Sequence, residues 1–511
     1  MGNRNPNDTD WRFEYVESSE TGQNVYVFSG TAPAPLLSEA FLVPEGSVGR
    51  DVQFRRRLKA LRALKDHGEL MRMIADPRLR ILDSHDLLVE DDAFQKLDVP
   101  KQEALRELTA TIPLYLVQGP PGVGKTRLIR DLARRRFAEE PTSRLLLSAQ
   151  SNAAIDHLMD ELKALLAGDQ HDGPLVVRCR ARESNEEVGQ FEVGVQARRI
   201  LRQLDHSSLA KRVPPALKQL LAQLVGSAST EMAPHSDQAF VTRSGNSPLY
   251  AIRAFEGVVM RAANVVFATT NSGDLERLIE ERAQFDWAVV EEAGKATGGE
   301  LISPLLLSHR RLIIGDHYQL PPFGSEQIVK LLESHEAVRN ALLVGEEFIG
   351  RSLRDETTEE ILDEIEDEEN DLPAMCTDAI RVLTLFETVI EGEFKRQPLG
   401  RRGRPIAKKL TKQHRMQPIM ADLVSQCFYK GELDTHPDCA KKYKTEKPPF
   451  TTVDQKQLPI SPIVLVDMSY VQDTVGRKKG DSLPRWTNAG EVAAVVEVLG
   501  HLRADGTATE T

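Results

Sequence analysis

The eight residues Gly119-Pro120-Pro121-Gly122-Val123-Gly124-Lys125-Thr126 constrain this chain more than any other feature. They satisfy G-x-x-x-x-G-K-[ST] at every fixed position. Glycines let the backbone fold tightly enough for its amides to point at phosphate oxygens, beside the positive end of a following helix. Such a loop needs a strand before it and a helix after it. Ile112 to Val117 is a short apolar run ending at the loop, and Leu128, Ile129, Leu132 and Phe137 share one helical face beyond it. The motif predicts a cradle for ATP. Lys125 would reach the β- and γ-phosphates, and Thr126 would give its hydroxyl to Mg²⁺.

A phosphate loop also needs an acidic partner on a nearby strand. Ala288-Val289-Val290-Glu291-Glu292 is an apolar run that ends in two carboxylates. Glu291 is expected to hold the metal and Glu292 to orient or deprotonate the attacking water. Further strand candidates are Leu145 to Ser148, Leu175 to Val177, Val265 to Ala268 and Leu312 to Ile314, with helical patterns between several of them. Alternating strands and helices predict an α/β fold around a parallel, doubly wound sheet.

The net charge of −12 looks unsuited to a nucleic-acid partner until its distribution is considered. Residues 355 to 371 hold 11 acidic side chains and no Lys or Arg, which is nearly all of the excess. The acidity belongs to one segment, and a local groove can still grip phosphates. A basic stretch follows at Lys395, Arg396, Arg401, Arg402, Arg404, Lys408 and Lys409, and the acidic segment could compete with nucleic acid for it. No apolar run approaches a bilayer span, so no membrane partner is expected. Four scattered cysteines without zinc-site spacing, and an N-terminus leading into no apolar stretch, suggest a cytoplasmic protein.

Several further segments together resemble superfamily 1 helicases of the senataxin and nonsense-mediated-decay type. Leu97-Asp98-Val99-Pro100-Lys101-Gln102 is similar to the family's upstream glutamine motif, which implies that Gln102 reads the adenine edge. The double proline of the phosphate loop is the form common there. Ser148-Ala149-Gln150-Ser151-Asn152 and Ala268-Thr269-Thr270 resemble its two backbone-contacting loops, which assigns Ser151, Asn152, Thr269 and Thr270 to nucleic acid. Gly315-Asp316-His317-Tyr318-Gln319-Leu320-Pro321-Pro322 resembles its third motif, with Gln319 sensing the γ-phosphate. Gln413-His414-Arg415-Met416-Gln417-Pro418 resembles the motif opening a second RecA-like domain, with Arg415 reaching across the cleft as it closes. Taken singly, each has a local alternative: Ser151 can cap a helix, and Arg415 can be a surface ion-pair residue.

The resemblance implies a RecA-like phosphate-loop domain over 98–183 and 256–325, interrupted by a mostly helical insertion over 184–255. An accessory region, hairpin then helical stalk, is expected over 1–97. An acidic insertion or linker would follow over 326–400, and a partial second RecA-like domain over 401–511, including a strand at Pro462 to Val466. The family's last two motifs are not found before Thr511, so the sequence reads as C-terminally incomplete. Glu291 stands where the family usually has Asp, and Lys295 where it has an amide. The implied activity is an ATP-dependent helicase or translocase on single-stranded DNA or RNA. An ATP-switched nucleic-acid clamp and, less well, a small-molecule kinase are the alternatives.

Overall fold

A computed structural model describes residues 11–18, 24–30, 47–76, 82–83, 88–166, 173–180, 189–230, 248–348, 372–396, 405–446, 450–453, 461–465, 481–482 and 487–504. The acidic run at 355–371, residues 231–247 of the expected helical insertion, and Arg401, Arg402 and Arg404 of the basic stretch fall outside these. The chain divides into two compact units, Met1–Val52 and Gln53–Thr511. In the first, β1 (Trp11–Ser18) and β2 (Asn24–Gly30) form the expected antiparallel hairpin, with a register shift between Phe13 and Tyr15.

The second unit is built on the predicted parallel sheet. Helices α1 (Ser47–Lys65), which begins in the first unit, and α2 (Gly68–Ala75) supply the expected helical stretch. A two-residue pairing of β3 (Leu82–Asp83) with β4 (Thr111–Ile112) follows, together with α3 (Asp92–Gln95) and α4 (Val99–Ala110). Then β5 (Leu114–Gln118), α5 (Lys125–Glu139), β6 (Leu145–Ala149), α6 (Asn152–Leu166) and β7 (Val176–Cys179) alternate. Helices α7 (Val193–His206), α8 (Pro215–Thr230) and α9 (Pro248–Ala262) stand between β7 and β8 (Val265–Thr269), where the helical insertion was expected. Next come α10 (Gly273–Glu280), β9 (Trp287–Glu291), α11 (Gly298–Leu306), β10 (Arg311–Gly315), α12 (Ser325–Leu332) and α13 (His335–Phe348).

The sheet order is β11-β5-β10-β9-β6-β8-β7, and every pairing is parallel. Its edge strand β11 (Ala407–Lys409) lies in the segment expected for the second domain, yet it pairs with β5. Alternate residues of each strand face opposite sides. Leu145 and Leu147 pack with Leu128, Ile129 and Ile155 on one face, while Leu146 faces Val259, Met260 and Leu278 on the other. Both faces are covered by helices, which is why the strands read as continuous apolar runs. Helix α15 (Leu385–Arg396), preceded by α14 (Leu372–Leu383), belongs to that cover. Its Phe386 and Ile390 pack with Leu116, Ile313 and Ile406, so this part of the expected linker is core.

Beyond β11, β12 (Lys412–Gln413) pairs in parallel with β13 (Asp434–Thr435), flanked by α16 (Pro418–Phe428) and α17 (Pro437–Thr445). Two short antiparallel pairs follow, β14 (Phe450–Thr452) with β17 (Leu502–Ala504) and β15 (Asp481–Ser482) with β16 (Thr487–Asn488), along with α18 (Ala489–Gly500). The strand expected at Pro462 to Val466 is not formed over 461–465.

Close backbone approach sets the geometry at the carboxyl end of the sheet. A Cβ on Gly294 would lie 2.4 Å from the Asp316 carbonyl oxygen, and one on Gly315 would lie 2.6 Å from the Gly294 amide nitrogen. Only glycine lets the loops after β9 and β10 meet this closely. Gly294→Ala is therefore expected to cost about 1–3 kcal/mol by overpacking. Urea unfolding checks this, and an unchanged midpoint would show that the loops can separate freely.

Candidate nucleotide site

The loop between β5 and α5 has the backbone its sequence demands. Gly122 and Gly124 adopt φ of +75° and +78°, and Gly124 is the N-cap of α5. Lys125 Nζ donates to the Gly119 carbonyl at 2.8 Å, folding the side chain back over the loop. Burial pushes this ammonium below the ordinary lysine value, against the pull of Glu291, Asp316 and Glu292 and with that of the Arg415 guanidinium.

Strand β9 delivers the acidic pair. Glu291 is 6% exposed, and its Oε1 accepts from the Thr126 hydroxyl at 3.1 Å. Burial raises its carboxyl above the usual range, with Lys125 and Thr126 offsetting part of the rise. Glu292 takes a left-handed φ of 54°, uncommon for a side chain with a Cβ, and Lys295 Nζ donates to its Oε1 at 2.9 Å. Lys295 thus places a cation beside the carboxylate expected to orient water.

Strand β10, lying between β5 and β9, brings in the third loop. Gln319 Nε2 donates to Asp316 Oδ2 at 2.8 Å, and Tyr429 Oη donates to the same oxygen at 2.6 Å. Arg415 is exposed and stands against the phosphate loop, since a Cβ on Gly122 would meet its Cβ at 2.8 Å. The next residue back, His414, donates its amide to the Gly122 carbonyl at 2.9 Å. The backbone next to Arg415 is thus joined to the phosphate loop in this structure.

Gln102 lies on α4, and its Nε2 donates to the carbonyls of Phe94 (3.2 Å) and Leu97 (3.0 Å). That leaves its amide oxygen as an acceptor. Beside it is a cluster that the sequence did not single out. Asp98 caps α4 by accepting from the Lys101 amide at 3.1 Å. Its other oxygen accepts from Lys101 Nζ and from His414 Nε2, the latter at 2.7 Å, and His414 stacks on His436. Burial alone would raise the Asp98 carboxyl, but these two partners hold it below the usual aspartate value.

The expected nucleic-acid residues are more dispersed. Ser151 Oγ accepts from the Ala154 amide at 3.2 Å, so it caps α6, and exposed Asn152 accepts from Arg178 at 2.8 Å. Thr269 is half-buried. Thr270 is 1% exposed, its hydroxyl unpartnered among the described residues, and it borders a cavity of about 190 Å³ beneath α1. Of the basic stretch, Arg396, Lys408 and Lys409 are ion-paired with Asp76, Glu103 and Glu432.

One AAA-domain model matches residues 96–325 and a second AAA-domain model matches residues 384–511. The ATP-dependent helicase upf1 of Schizosaccharomyces pombe is 26% identical over 258 residues, covering 49% of this chain and 24% of that protein. The DNA-binding protein SMUBP-2 of Mus musculus is 23% identical over 438 residues, covering 81% and 35%. The probable helicase senataxin of Mus musculus is 25% identical over 339 residues, covering 53% and 12%. The chain belongs to the superfamily 1 helicases of the Upf1, SMUBP-2 and senataxin group. It spans 12% to 35% of the length of these three relatives. The seven-stranded parallel sheet is the RecA-like phosphate-loop domain of that family, followed by a segment of a second domain.

The Asp98 cluster joins the two AAA-domain matches, since Asp98 lies in the first and His414 in the second. Asp98→Ala would strand the Lys101 ammonium, which is only 2% exposed. The expected cost is about 3–5 kcal/mol. A loss below about 1 kcal/mol in urea unfolding would show the ammonium to be well solvated. The lowered carboxyl stabilises the fold above about pH 4, and that contribution is lost as pH falls through its folded-state value. The acid limb of stability should accordingly be shallower in Asp98→Asn.

Proposed function

We propose that this chain carries the ATPase core of a nucleic-acid helicase or translocase. One observation supports the reading above the others. The phosphate loop, the Thr126–Glu291 contact, Gln319 and Arg415 converge at the carboxyl end of β5, β9 and β10. That is the end of a doubly wound sheet where ligands bind.

The loop amides and Lys125 bind the triphosphate of ATP, and Gln102 offers its amide oxygen to the amino group of adenine. Thr126 and Glu291 have the oxygen chemistry to hold Mg²⁺. Among the described residues no three or more His, Cys, Asp or Glu cluster into a metal site, so triphosphate oxygens and water would complete the shell. When bound, the ion neutralises charge on the β- and γ-phosphates. Glu292 orients the attacking water, with Lys295 fixing its carboxylate. Arg415 stabilises charge that develops on the transferring phosphoryl group.

The wider helicase reading draws on the relatives. One relative is an ATP-dependent helicase and another a DNA-binding protein, which supports a nucleic-acid partner, and single-stranded DNA or RNA is the form proposed here. Exposed Asn152 and half-buried Thr269 are the proposed contacts. The clamp reading keeps one specific support, the Lys295–Glu292 ion pair, which would weaken Glu292 as a base.

Lys125→Ala should abolish ATP turnover and Arg415→Ala should lower kcat about 10³-fold or more. Turnover by Lys125→Ala would overturn the ATPase assignment. Single-stranded DNA or RNA should stimulate the wild-type rate. Stimulation without strand separation in a duplex-unwinding assay would favour the clamp, and no stimulation by either polymer would remove nucleic acid from the reaction.

A further inference from the structure

The loop 316–319 is tied almost entirely to residues that come after it in the chain. His317 Nε2 and Tyr318 Oη each lie 2.9 Å from Glu391 Oε1 on α15. Asp316 accepts from Tyr429, the residue that closes α16. Asp316 and Gln319 belong to the first AAA-domain match, and Glu391 and Tyr429 belong to the second. These bonds therefore cross from one matched region to the other.

The Tyr429–Asp316 bond is the one that bears on Gln319. Both residues are nearly buried, at 6% and 5% exposure. The 2.6 Å separation is that of a phenol donating to a carboxylate, a strong charge-assisted bond. Burial and the neighbouring carboxylate push the phenol far above its ordinary value, so it remains a donor at any working pH. The other carboxylate oxygen accepts weakly from the Tyr318 amide at 3.3 Å. The tyrosine hydroxyl is thus the firmest anchor holding that carboxylate in place. Gln319 donates one amide hydrogen to the same Oδ2, and an amide nitrogen has two.

We propose that Tyr429 is a positioning residue for Gln319. By fixing the Asp316 carboxylate it fixes the glutamine amide, leaving one N–H free to reach a γ-phosphate. Recognition of that phosphate is thereby coupled to the segment that also carries Arg415. The inference rests on the nucleotide reading proposed above. It adds a residue to that reading and a path between the two matched regions. The path runs from the Gly122–His414 bond through α16 to Tyr429, Asp316 and Gln319.

Equilibrium binding tests this without relying on turnover. The affinities of ADP and of a β,γ-imido ATP analogue, both with Mg²⁺, are compared in wild type, Tyr429→Phe, Gln319→Ala and the double variant. Tyr429→Phe keeps the ring packing against Tyr318, whose centroid is 5.8 Å away, and removes only the hydroxyl. It should lower the preference for the analogue over ADP about tenfold, as expected for a weakened bond to a charged group. ADP affinity should stay unchanged, whereas the melting midpoint should fall modestly for the lost buried bond. Gln319→Ala should lose at least as much, and the double variant no more than Gln319→Ala alone. Asp316→Asn, which keeps the shape but weakens both bonds, should lower the same preference.

An unaltered preference in Tyr429→Phe would overturn the inference. So would an equal loss of ADP affinity, or a loss that adds to that of Gln319→Ala. Wild-type protein that binds neither nucleotide would overturn the nucleotide reading itself, and this inference with it.

Discussion

Besides the β11–β5 ladder, backbone hydrogen bonds attach the run from Ile406 to His414 to the strand before the phosphate loop and to the loop itself. The Leu116 amide donates to Ile406, Leu410 to Gln118, and His414 to Gly122, at 2.8, 2.8 and 2.9 Å. This attachment carries β11 into the first sheet and sets Arg415 against Gly122. Backbone bonds along a strand transmit position more strictly than side-chain contacts, because each residue has few soft torsions. The site is therefore assembled from both matched regions at the level of the main chain. Side chains then refine it.

That refinement runs against solvation. Lys125 and Glu291 are both shifted toward their neutral forms by burial, although each is the other's attractive neighbour. Desolvation outweighs the pairing, as is common for ion pairs removed from water. Within the protein, neither group's neighbours offset the cost of its burial. Asp98 behaves differently. There the hydrogen bonds from His414 and Lys101 outweigh burial, so this carboxylate is satisfied by the protein alone. One cluster fastens the two matched regions together, and in the other burial prevails over pairing.

Much of the sheet was legible in the sequence because its strands are buried on both faces. Leu145–Ala149, Val265–Thr269 and Trp287–Glu291 are short apolar runs that no amphipathic surface element would produce. Lys125, Thr126, Glu291, Gln319 and Arg415 were legible as motifs, and the fold brings them to one place. Strand β11 was not, since Ala407-Lys408-Lys409 is short, polar and at an edge. Its pairing is decided by the tertiary context of β5 rather than by its own residues. Tyr429 and Glu391 were illegible for a related reason. Their partners lie 113 and 73 residues away, and no local pattern encodes such contacts. Thr270 shows the opposite error: a motif position can be inward-facing, and spacing alone does not say which way it points.

The substitution of Glu for the family's usual Asp at position 291 looks disruptive in sequence and much less so in space. In the sheet register Glu291 stands beside Ala149 on β6, a residue too small to crowd the extra methylene. The lengthened side chain reaches the Thr126 hydroxyl directly at 3.1 Å. A shorter aspartate on the same backbone would leave more room between strand and loop. The extra carbon thus shifts where the carboxylate ends, not which residues it faces. Burial further disfavours its charged form, and Lys125 and the Thr126 hydroxyl offset only part of that penalty. The departure therefore moves the carboxylate without separating it from the phosphate loop, because Glu291 still faces Thr126.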